Sequence, residues 1–202
     1  DLNEYDFSSS IDFKIETSNR LNNSWKTQID FSGKNGKVTH LASSISVNGL
    51  AFKGSISTLN SNTTININSF SGSFSGGNFE GRLAIKNMNH PSINADLKGV
   101  FDLSELVPFF INDQDIISMG SINADMHFSG SFYDFKNIQK KEIEKAITTG
   151  LVELNNVTIY LPRLNLELKE LIGSFKLDDN DASIPNLNGK WMGSNMELKG
   201  NI

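Results

Sequence analysis

The sequence predicts an all-β protein: a long antiparallel meandering sheet, curved or folded over on itself as a taco-like groove or a sandwich, with one or two short helices. Three observations carry this expectation. Apolar and polar residues alternate in segment after segment, the period of a strand with one covered and one wet face. Proline is scarce, 4 in 202 residues, as suits long ladders that need a backbone donor at most positions. Asn-Gly and Gly-Gly pairs punctuate the apolar runs, as tight strand connections require.

The first strands are patterned as follows along the chain. Phe7, Ile11, Phe13 and Ile15 share one face, with Asp12, Lys14 and Glu16 opposite. Trp25, Thr27, Ile29 and Phe31 then alternate with Lys26, Gln28 and Asp30, and Gly33–Gly36 predicts a hairpin turn. Leu41, Ile45 and Val47 form one face and Leu50, Phe52 and Ile56 the next, so the parity change at Asn48-Gly49 predicts a turn or a bulge. Ile65 and Ile67 precede a further shift to Phe70 and Phe74, before Gly76-Gly77.

The middle of the chain has the clearest pattern. Phe79, Leu83 and Ile85 oppose Glu80, Arg82 and Lys86; after a turn over Asn87–Pro91, Ile93, Ala95, Leu97 and Phe101 oppose Asn94, Asp96 and Lys98. Ile122, Ala124, Met126, Phe128 and Phe132 oppose Asn123, Asp125, His127 and Ser129. The alternation restarts near Gly150 with Leu151, Val157, Ile159 and Leu161. Leu164, Leu166 and Leu168 lie on even positions but Leu171, Phe175 and Leu177 on odd ones, so the pleat must reset near Glu170. The last strand sets Met192, Met196, Leu198 and Ile202 against Trp191, Glu197 and Lys199.

Two segments break the pattern. Asp102-Leu103-Ser104-Glu105 has the form of a capping box, and Pro108 keeps the helix it opens short. Asn137–Ile147 places Ile138, Ile143, Ala146 and Ile147 at helical spacing, which predicts a surface helix or mobile connector, or else an amphipathic lid or membrane-contacting helix. Residues 1–202 read as one β-rich segment with a seam at 133–149. Strand pattern running to both ends suggests a piece of a larger protein, whose flanks would hold any membrane anchor.

Composition excludes several function classes. The net charge is −5, with acids and bases interleaved rather than blocked, and no basic face for a nucleic acid emerges. With no cysteine, disulfides and thiolate metal sites are ruled out. His40, His90 and His127 lack partners at metal-ligand spacing, and Asp178-Asp179-Asn180-Asp181 reads as a hairpin turn rather than a calcium loop. Gly72-Ser73-Phe74-Ser75-Gly76 has Phe where a nucleophile elbow needs its serine. No acid–base or nucleophile pair stands out, so neither catalysis nor a cofactor is expected.

Two stretches are alike. Phe70-Ser71-Gly72-Ser73-Phe74-Ser75-Gly76-Gly77-Asn78-Phe79-Glu80-Gly81-Arg82-Leu83 is a glycine-punctuated strand pair, and Leu171-Ile172-Gly173-Ser174-Phe175-Lys176-Leu177 runs on through Leu187-Asn188-Gly189-Lys190-Trp191-Met192-Gly193. Over residues 70–202 the chain resembles the C-terminal region of the AsmA-like proteins of Gram-negative envelopes, which include the TamB type. The resemblance implies a curved sheet with a hydrophobic groove, anchored at the inner membrane and reaching into the periplasm. It implies phospholipid acyl chains as partners and a role in lipid transport or outer-membrane biogenesis.

The residues themselves lead the same way. A sheet greasy on one face must cover it with a second sheet, helices or a ligand, and helix is scarce here. The expected groove wall is Phe79, Leu83, Ile85, Ile93, Leu97, Phe101, Ile122, Met126, Phe128 and Phe132. These residues would equally suit a closed core. The rival expectation is a structural or adhesive β-sandwich of a surface protein that binds protein or glycan.

Overall fold

The computed structural model describes residues 2–20, 24–60, 62–110, 116–133, 140–143, 145–179 and 181–201. After a 3-10 turn at Leu2–Glu4, eleven strands follow: β1 (Tyr5–Arg20), β2 (Ser24–His40), β3 (Ser46–Leu59), β4 (Asn62–Phe74), β5 (Gly77–Lys86), β6 (Ser92–Asp102), β7 (Ile117–Ser131), β8 (Ile147–Leu161), β9 (Leu166–Asp178), β10 (Asp181–Trp191) and β11 (Ser194–Asn201). A second 3-10 turn, Pro162–Leu164, joins β8 to β9, so Leu164 is exposed in a turn rather than on the strand face expected of it. Helix α1 (Leu103–Phe110) links β6 to β7, and α2 (Lys140–Ile143) lies between β7 and β8. The strands form one antiparallel sheet in strict chain order. Of the two forms expected, the open curved sheet is the one built. Strands β7 and β8 pair antiparallel from Ile117↔Tyr160 to Ser129↔Ile147.

Alternation sets the strands and bulges keep it in phase. The parity change at Asn48-Gly49 is a bulge, with Gly49 at φ 60° and a register shift between Asn48 and Ala51. The reset near Glu170 is another, with Glu170 itself at φ 54°. Each bulge adds one residue, so the apolar side chains return to the same side of the sheet.

Some expectations fail. Gly33–Gly36 is not a hairpin turn: β2 runs through it, with Asn35 at φ 54° and a shifted register on either side. The connection falls instead at residues 41–45, where Leu41 is exposed rather than on a strand face. Met192 belongs to the β10–β11 turn, at φ 48° beside Gly193. Ala146 is buried in a turn and Ile147 opens β8, so neither is helical, and pairing with β7 overrides their helical spacing. Ile138 lies outside the described residues, and of the segment's helix only α2 is described.

The capping box is half-formed. Asp102 accepts the N–H of Ser104 at 2.8 Å, as an N-terminal cap does. Glu105 turns away from it, accepting the Gly76 N–H at 3.0 Å and the Ser75 hydroxyl. That ties α1 to the β4–β5 turn.

Helix α1 reveals how far the sheet curls. The Tyr5 hydroxyl of β1 donates to the Phe109 carbonyl at 2.9 Å. At the other end of the helix, Leu103 is buried in a cluster with Val157, Leu171 and Leu187 of β8, β9 and β10. A flat sheet would hold β1 and β8 about 34 Å apart, seven strand spacings. An eight-residue helix is only about 12 Å long. The sheet therefore wraps around α1 as a half-pipe, and α1 fills one end of its hollow.

Candidate functional site

Register places the apolar side chains of the hollow in rows that cross the strands. The first is all isoleucine: Ile15 pairs with Ile29, Ile29 with Ile56, Ile56 with Ile65, Ile65 with Ile85 and Ile85 with Ile93. It spans β1 to β6, five strand spacings or about 24 Å. The second runs Phe13, Phe31, Gly54, Ile67, Leu83, Ala95 and Phe128. The third runs Ile11, Gly33, Phe52, Phe70, Gly81, Leu97 and Met126.

Glycines in the second and third rows, and Gly72 opposite Phe79 beyond them, make room for phenyl rings. A Cβ on Gly54 would lie 2.7 Å from the Phe31 ring, one on Gly81 2.5 Å from Phe70, and one on Gly72 2.8 Å from Phe79. Each ring lies over a cross-strand glycine, which keeps the concave surface smooth as the sheet bends inward.

The rows differ from a core in their exposure. Among the described residues, no member of the first two rows belongs to either buried cluster. Phe13 is 70% exposed and Ile15 57%, while Ile29, Ile56, Ile65, Ile85 and Ile93 are half-buried. By contrast Val47, Phe74, Phe101, Phe109 and Ala124, gathered at α1, are buried. The helix covers one end of the hollow and leaves the rest open.

Between the covered and open parts lies a wholly apolar pocket of about 390 Å³. It is lined by Phe70 and Leu97 of the third row, by Phe101 and Ala124 of β6 and β7, and by Leu106, Phe109 and the exposed Phe110 of α1. Phe74, also in the lining, meets Phe109 edge-on at 5.3 Å.

The opposite, convex face carries the charged pairs, with exposed apolar residues such as Val100, Leu151 and Ile172 among them. Arg82 and Asp96 pair there, His127 Nδ1 lies 2.9 Å from the same carboxylate, and Lys98 reaches Asp125 at 3.2 Å. Hydrogen bonds from Arg82 and then His127 hold the Asp96 carboxyl below the usual aspartate range. This face supports a surface in water.

Nine of the ten residues expected to form a groove wall fall on one face, in two settings. Leu83, Ile85, Ile93, Leu97, Met126 and Phe128 stand in the open rows. Phe79, Phe101 and Ile122 line the pocket beside α1. Phe132 lies past the end of β7, buried, stacked on Phe128 at 6.2 Å and bonded through its N–H to the Pro91 carbonyl, so it closes an end of the sheet. The same rows also contain Ile11, Phe13, Ile15, Ile29, Phe31, Ile56 and Ile65 of β1 to β4, which the expected wall omits. Their alternation is visible in the sequence; their alignment with Ile85 and Ile93 depends on register across bulges.

The histidines are dispersed. His40 is buried between the rings of Tyr5 and Phe109, with Nδ1 2.8 Å from the Ser43 hydroxyl, and the His90 ring lies tilted against Tyr133. Among the described residues no three metal-ligating side chains come together, and no helix is long and apolar enough to cross a membrane. In comparisons with known proteins, no family model, curated protein or solved structure matches the chain.

Proposed function

We propose that the chain is a non-catalytic lipid-handling segment, whose open concave face holds phospholipid acyl chains during lipid transport or outer-membrane biogenesis. The observation that supports this reading is the set of isoleucine and phenylalanine rows left half-exposed along the hollow. A contiguous apolar surface of that extent is unfavourable in water unless something occupies it, and such patches mark binding sites. The isoleucine row, about 24 Å long, exceeds one leaflet of a bilayer, roughly half of a ~30 Å core, so an extended acyl chain fits on it. The resemblance to AsmA-like proteins supports the further reading that the chain works in the periplasm of a Gram-negative bacterium, held at the inner membrane by an anchor outside this sequence.

The test is lipid extraction and native mass spectrometry of the protein purified from a Gram-negative host without detergent. Bound phospholipid, lost when Ile56 and Ile65 are both changed to Glu, is the expected result. A lipid-free protein that also fails to take up fluorescent phospholipid from vesicles overturns the reading.

A further inference from the structure

We infer that the pocket under α1 receives the methyl end of a single acyl chain, so that Leu97 and Phe70 admit the chain and Leu106 and Phe109 stop it. This rests on the lipid-groove reading and adds a direction and a selectivity to it.

Three observations carry the inference. The pocket opens onto the third row at Phe70 and Leu97, so a chain lying on the rows can continue into it without leaving apolar contact. Phe74 packs edge-on against Phe109 of α1 in the lining, and α1 is pinned by the Tyr5 and Glu105 hydrogen bonds. The stop is therefore held in place at both ends of the helix.

The chemistry of the lining selects the occupant. Every side chain that faces the pocket is apolar. A peptide segment would bring backbone N–H and C=O groups into it with nothing to pair them, and a headgroup would bring charge; both are costly. The end of a hydrocarbon chain brings neither. Its headgroup would lie outside the pocket, towards the open rows. At about 390 Å³ the pocket is within the range of small-molecule sites, and it suits one chain end rather than a whole lipid.

The experiment uses the unaltered protein and two lysophospholipids, palmitoyl-lysophosphatidylcholine and its analogue hydroxylated at the terminal carbon, each below its micelle concentration. Burial of an unpaired hydroxyl predicts about tenfold weaker binding of the analogue. Leu97→Trp narrows the mouth at a residue that is itself 36% exposed, so the variant should fold, as its thermal melt checks. In it the two probes should bind equally, the palmitoyl probe having lost its advantage. Equal binding of both probes to the unaltered protein overturns the inference while leaving the groove reading intact. Failure of both probes to bind overturns the groove reading itself.

Discussion

The hydroxyl of Tyr5 donates to the carbonyl of Phe109 across 104 residues of chain, and this bond joins the first strand to the last turn of α1. Helix carbonyls at a C-terminus lack intrahelical partners, so Tyr5 satisfies a group that the fold would otherwise leave to water. Tyr5→Phe keeps the ring contacts with His40 and Phe109, at 5.1 and 5.4 Å, and removes only the bond. A loss of about 1 kcal/mol is expected, read as a lower urea midpoint with unchanged slope. Amide exchange of α1 should quicken while that of β9 and β10 does not. Uniform loss of protection across the sheet would mean that the bond does not act on the helix.

The phenyl-over-glycine pairs make a second prediction with a built-in control. At Gly54 a new Cβ would meet the Phe31 ring at 2.7 Å and crowd the Asn66 carbonyl, so Gly54→Ala should cost about 1–3 kcal/mol as an overpacking change. At Gly200 a new Cβ meets nothing within 4 Å. Gly200→Ala should therefore be neutral or stabilise by up to about 1 kcal/mol through the unfolded chain. Thermal unfolding of the two variants decides it, and similar melting temperatures would contradict the packing argument.

Much of this architecture is legible in the sequence, and the illegible part has a common cause. Alternation identifies strand faces such as Phe79, Leu83 and Ile85 because a period of two is a local property. The Gly33–Gly36 stretch misleads because glycine and asparagine serve bulges and turns alike, and only the pairing of β2 with β1 and β3 distinguishes them. The isoleucine row is hidden for the same reason. Each of its members is visible singly, but Ile29↔Ile56 and Ile65↔Ile85 are facts of register. The Tyr5–Phe109 bond, the partnership of Glu105 with the β4–β5 turn and the curl they hold in place are non-local too, and no spacing rule reports them.

Asp96 gives a pH prediction. Hydrogen bonds from Arg82 and His127 lower its pKa from the ordinary 3.8, so the folded protein holds this carboxylate ionised more readily than the unfolded chain does. A depressed carboxylate contributes stability that is fully present above the unfolded value and lost as the pH falls through the folded one. The stability difference between the parent and Asp96→Asn should shrink as the pH falls below the ordinary 3.8. Urea midpoints measured down the acid limb test this. A difference that grows on acidification would reverse the sign and refute the assignment.

Phe13 separates groove chemistry from fold stability. Its ring is 70% exposed at the open edge of the hollow, next to Phe31 in the second row. Because little of it is buried, Phe13→Glu should change unfolding free energy by no more than about 0.5 kcal/mol, as surface changes generally do. The new carboxylate stands on the apolar row itself, where an acyl chain would have to desolvate it. Phospholipid uptake should therefore fall by about tenfold or more with the melting temperature unchanged. Lys14→Glu is the matched control, since Lys14 sits one residue along on the convex face, where it pairs with Glu16. That variant also gains negative charge, yet it should bind lipid as the parent does. Equal losses in both variants would point to a general effect of charge at the β1 edge. A loss confined to Phe13→Glu means that the row itself holds the chain.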